Sequence, residues 1–133
     1  MMKIIKNIVF VAGISALSQA AVAGTYQDCI STANEINQTA PQQIDKVTVL
    51  LNATCKEEGK KVILSYSYML DTENPITKEA IESMKPNQIN AVCTDPNLKS
   101  VLDVVLMEFS YSSRDRKFIG ANRISKKDCR LAR

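Results

Sequence analysis

Cys29, Cys55, Cys93 and Cys129 are the only cysteines in a 133-residue chain that contains no histidine. No two of them form a CxxC pair. Zinc sites built from clustered cysteine and histidine, and the CxxC redox site, therefore lack their ligands or their nucleophile. An even number of well-separated cysteines in a short chain reads instead as a disulfide framework, which needs an oxidising compartment. Four cysteines allow three pairings, and each pairing ties a different set of segments together. Bridges closing loops of about 27 to 37 residues contribute on the order of 3–4 kcal/mol each in the chain-entropy picture. That is a large share of the margin of a small domain.

The first residues carry the marks of export. Lys3 and Lys6 give a positive start, residues 8–23 carry no charge, and Ala21-Val22-Ala23 is a small-x-small cleavage site before Gly24. The apolar stretch is interrupted by Gly13 and Ser15, and it is too short and weak to hold a bilayer about 30 Å thick. The expectation is a signal peptide over residues 1–23 and a single α+β domain over residues 24–133. An uncut N-terminal anchor is the alternative, and no later segment is apolar enough to span a membrane. The expected location is the periplasm or the outside of the cell.

Without residues 1–23 the chain has 15 basic and 14 acidic residues, so net charge supports neither a nucleic-acid nor a membrane partner. The distribution is uneven. Residues 114–133 hold eight basic residues against Asp115 and Asp128, whereas residues 24–113 hold seven basic against twelve acidic. Such a basic end attracts an acidic partner or an anionic surface. A solvated last strand and tail explains it without any partner.

Apolar periodicity supplies the elements. Tyr26, Cys29 or Ile30, Ala33 and Ile36 recur at helical spacing. Val47, Val49, Leu51, Ala53 and Cys55 alternate with their neighbours, as do Val62, Leu64, Tyr66, Tyr68 and Leu70. The turn between them contains Gly59, so the two runs form a hairpin. Thr77 is placed to cap a short helix that Pro86 interrupts, and Asp95-Pro96 is the start of another. Residues 105–112 and 118–124 alternate again around the polar turn 114–117. The layout predicts a four-stranded antiparallel sheet from two hairpins, with helices on one face and two disulfides. It favours Cys29–Cys55, pinning the first helix to the sheet, and Cys93–Cys129, tying the second hairpin to the helical layer. Leu50, Ile63, Met69, Leu106 and Ile119 are expected on the other face, covered by the first helix or left as a docking surface.

Catalytic residues are not evident. The commonest general base is missing, and paired cysteines leave no thiol. Glu57 with Glu58 and Asp71 with Glu73 lie in expected turns, where carboxylates are solvated. No glycine-rich phosphate loop, cofactor site or metal site is expected. Tyr66, Tyr68, Phe109 and Tyr111 have no interleaved basic residues, so core packing explains them better than base stacking. The glycosylation triplets at Asn37 and Asn52 are too common by chance to weigh.

Residues 90–129 resemble the disulfide-bearing half of the small α+β pilotin lipoproteins of type II secretion systems. The likeness rests on Cys93-Thr94-Asp95-Pro96-Asn97-Leu98, the Leu102-Asp103 helix end, two strands through Phe109-Ser110-Tyr111 and Ile124, and Ser125-Lys126-Lys127-Asp128-Cys129. It implies that Cys93 pairs with Cys129, and that the protein binds a short segment of an outer-membrane secretin. One departure is plain: Thr25-Tyr26-Gln27-Asp28 before Cys29 is no lipobox, so the resemblance carries no lipid anchor with it. Two functions are therefore weighed against an enzyme. One is an exported binding module with a protein or peptide partner, an accessory of a secretion machine. The other is a secreted inhibitor or effector-like protein that binds a host or competitor target. Oligomeric state is not readable from these residues.

Overall fold

A computed structural model describes residues 25–131, so the signal peptide expected over residues 1–23 lies outside the described residues. α1 (Thr25–Asn37) buries Cys29, Ala33 and Ile36, one stripe at helical spacing. β1 (Gln42–Gln43), β2 (Thr48–Glu58) and β3 (Lys61–Leu70) follow. Three short helices come next: α2 (Lys78–Ser83), α3 (Lys85–Thr94) and α4 (Pro96–Val101). β4 (Leu106–Ser112), β5 (Phe118–Ile124) and α5 (Lys126–Leu131) complete the order.

Local chemistry explains the punctuation. Gly59 takes φ +62° as the first residue of the two-residue β2–β3 loop, the position where a type II′ turn requires glycine. Thr77 accepts a hydrogen bond from the Ala80 N–H and caps α2, and Asp95 accepts from Asn97 and Leu98 and caps α4. Pro86 stands in the first turn of α3, where no intrahelical donor is lost. It therefore starts a new helix directly after α2.

The sheet has five strands in the order β1-β2-β3-β4-β5. Both expected hairpins form, β2 with β3 and β4 with β5. Two features differ from a four-stranded antiparallel sheet. The two-residue β1 adds a fifth strand beside β2, and the hairpins join through a parallel β3–β4 pair. The cause is the helical stretch between them. A long crossover over one face returns the chain to the end where β3 began, so β4 must run in the same direction.

The helices share one face. Cys29, Ala33 and Ile36 of α1, Val92 of α3, and Leu98 and Val101 of α4 pack in one core with Leu50, Ala53, Leu64, Tyr66, Met107 and Ile124. A second cluster joins Ile81 of α2 to Leu70 and Tyr111. Tyr66, Tyr68, Phe109 and Tyr111 stack on this face with ring centroids 5.2–6.5 Å apart. α1 therefore lies with the other helices and does not cover the opposite face.

Two β-bulges revise the expected outer face. The β2–β3 register shifts between Leu50 and Asn52, which turns Leu50 inward, 3% exposed in the core. The β4–β5 register shifts after Tyr111. Ile119 then packs against the Leu70–Ile81–Tyr111 cluster, and Phe118, which strict alternation with an outward Ile119 would turn toward the helices, is 68% exposed. A one-residue shift exchanges the faces. Ile63, Met69 and Leu106 keep their outer positions.

Candidate binding site

One bridge joins a helix to the sheet, and the other joins two helices. Cys29 of α1 is bonded to Cys55 of β2, and Cys93 of α3 to Cys129 of α5. No cysteine is free. The helical layer is further keyed to the sheet by side-chain amides. The Asn37 Nδ2–H donates to the Ala53 carbonyl at 2.9 Å, and its Oδ1 accepts from the Ala53 N–H at 2.7 Å. The carboxamide thus pairs with the edge of β2 as a strand would, which occupies the first glycosylation triplet. On the other side Asn122 Nδ2 donates to the Ile81 carbonyl and to Gln88 Oε1, and Gln88 Nε2 donates to the Tyr111 hydroxyl. Burial pushes the Tyr111 hydroxyl up to about 12, against the lowering effect of Gln88.

The outer face carries an ionic network that alternation alone did not reveal. Glu108 of β4 is buried, 6% exposed. Its Oε1 takes Lys56 Nζ at 2.8 Å and the Ser65 hydroxyl at 2.7 Å, and its Oε2 takes Arg123 Nε at 2.9 Å. Arg123 then grips both oxygens of Glu58 at 2.9 and 2.7 Å. Glu58 is on β2 and Arg123 on β5, so this pair reaches over β3 and β4, where Ile63 is fully buried. Desolvation is the largest influence on the Glu108 carboxyl and raises its pKa. The bonds from Lys56, Ser65 and Arg123 together outweigh it and hold the group at about 2. The Arg123 bond likewise lowers Glu58.

The acidic pairs weighed as catalytic candidates fall into other roles. Glu58 belongs to that network, and Asp71 pairs with Arg114 at 2.6 Å. Glu57 and Glu73 are exposed at opposite ends of the sheet. Among the described residues no cluster of three or more His, Cys, Asp or Glu could hold a metal ion.

Two clefts open at the ends of the sheet. One, about 700 Å³, lies between the loop after β3 and the β4–β5 turn. Its basic residues are matched locally, Arg114 with Asp71 and Lys117 with Asp115, and Glu73 on its rim makes no ion pair among the described residues. The other, about 1010 Å³, lies between the start of α1, the β2–β3 loop, the residues after α4, and α5. Tyr26, Val62, Leu102, Val105 and Leu106 give it an apolar floor, and Lys60, Lys61, Lys126, Lys127 and Arg130 rim it. Glu57 and Asp103 are its acidic members, and Asp103 is taken by Lys126 at 3.0 Å. The basic end of the sequence is thus divided. Arg114, Lys117 and Arg123 are ion-paired, while Lys127 and Arg130 meet the hairpin lysines at this cleft.

No family model matches the chain, and no curated protein matches it in sequence. Solved structures match it in shape. EpsS, the pilotin of the Vibrio vulnificus type 2 secretion system, aligns with TM-score 0.60 at 11% identity, covering 80% of this chain and 93% of that one. AspS, the type II secretion system pilotin of Vibrio cholerae, aligns with TM-score 0.56 at 18% identity, covering 80% and 94%. The Pseudomonas aeruginosa protein PA3611 aligns with TM-score 0.55 at 16% identity, covering 79% and 92%. The likeness extends well beyond residues 90–129, where the sequence resemblance lies. In architecture, this chain is similar to the pilotins of type II secretion.

Proposed function

We propose that the protein is an exported, non-catalytic binding module that serves an envelope secretion machine by holding a short segment of one of its proteins. The observation that carries this reading is the fold shared with two type II secretion pilotins over 80% of the chain. The chemistry agrees with it. All four cysteines are bridged, which requires an oxidising compartment, and no thiol is left to act as a nucleophile. Among the described residues no helix is long and apolar enough to cross a membrane.

Cross-linking in intact cells, followed by purification of the oxidised protein and identification of its adducts, tests the proposal. Recovery of an outer-membrane channel subunit of a secretion system is expected, with the protein itself in the periplasmic fraction. Accumulation in the culture supernatant, with adducts only to a host or competitor protein, would replace this reading with that of a secreted inhibitor.

A further inference from the structure

We propose that the cleft between α1, the β2–β3 loop and α5 is where the partner segment docks, and that this segment is acidic and amphipathic. The proposal rests on the binding-module reading above and deepens it. The cleft's floor is apolar, with Val62, Leu102 and Val105 lying buried beneath it. Its volume of about 1010 Å³ is at the upper end of the roughly 300–1,000 Å³ range of ligand pockets. It admits several side chains rather than one small molecule.

Charge decides which segment fits. Lys60, Lys61, Lys127 and Arg130 are exposed and make no ion pair among the described residues. Two come from the β2–β3 hairpin and two from α5, so folding gathers like charges from sites 66 or more residues apart. Their mutual repulsion is relieved by a partner that brings carboxylates. Apolar side chains on one face of that partner fill the floor, and its acids meet the rim, as an amphipathic helix does in a groove. An anionic bilayer would also be attracted to the lysines, but a flat surface leaves a concave apolar floor empty. The observations favour the peptide.

Random twelve-residue peptides displayed on phage, selected against the purified oxidised protein, test this directly. Enriched sequences are expected to carry net negative charge, with apolar residues at three- to four-residue spacing. Synthetic versions should lose about tenfold or more in affinity against a Lys60→Glu, Lys61→Glu, Lys127→Glu variant, and weaken as salt rises. A Lys→Gln version of the same triple variant guards against misfolding, and both must retain both bridges and the wild-type circular dichroism. Failure to enrich, a neutral or basic consensus, or equal binding to the variants would overturn the proposal. So would variant-sensitive sedimentation with phosphatidylglycerol vesicles in the absence of peptide binding, which would make the cleft a lipid site. If the charge variants still cross-link to the secretion channel in cells, the binding-module function stands and only this site falls.

Discussion

Glu108 sits beneath the uncovered face with Lys56, Ser65 and Arg123 on its two oxygens. Its carboxyl titrates at about 2 instead of the usual 4.5. A carboxylate depressed in the folded state stabilises fully above its unfolded value and loses that contribution as pH falls through the folded value. The protein should therefore lose on the order of 3 kcal/mol between about pH 5 and pH 2 through this group. Urea unfolding of Glu108→Gln checks it. The variant should be less stable at pH 7, and its deficit should shrink towards pH 2. Asn122 makes a second case: its amide donates to the Ile81 carbonyl, which the Met84 N–H also reaches, and to Gln88 Oε1. Asn122→Ala should cost about 1–2 kcal/mol by removing both hydrogen bonds and leaving the half-buried Gln88 Oε1 without its donor, read as a lowered unfolding midpoint. Neither residue was singled out by pattern. Glu108 and Arg123 look like ordinary outward positions of alternating strands, and only the cross-strand register brings them together. Arg116 shows the opposite tension, holding φ +67° in the β4–β5 turn. Arg116→Gly should raise stability by about 0.5–1 kcal/mol, measurable as a higher thermal midpoint.

The elements with strong periodicity or a capping residue were legible: α1 from its stripe, β2 and β3 from alternation around Gly59, α2 and α4 from Thr77 and Asp95. What escaped was short or depended on a neighbour. β1 is two residues long and exists only because β2 offers an edge. α5 lies where composition alone reads as tail, although Ser125 and Asp128 form its start signal: the Asp128 carboxylate accepts from the Ser125 N–H at 2.8 Å. The bulge at Leu51 has no adjacent glycine or proline to announce it, whereas Gly120 follows the bulge at Ile119 and is a signal that alternation alone passes over, so the expected outer face differs at Leu50, Phe118 and Ile119. The bridges act at this scale as well. A Cys93→Ser, Cys129→Ser variant opens a span of 36 residues and should lose on the order of 3–4 kcal/mol. Hydrogen exchange should quicken first in α3 and α5, the two helices that the bond joins.

For the molecule as a whole, alternation revealed a two-layer α+β body but not how its halves meet. The parallel β3–β4 pair and the basic cleft both arise where distant segments converge, and neither has a local signature. The bridges have the opposite character. Cys29–Cys55 closes before Cys93 begins, so the loops follow one another without crossing. For a polypeptide threaded out of a translocation channel from its leading end, each thiol meets its proper mate before the following pair emerges. Oxidation in order of arrival already produces the native connectivity. A strain lacking its disulfide isomerase should consequently accumulate as much correctly bonded product as its parent, whereas one lacking the primary thiol oxidase should accumulate little.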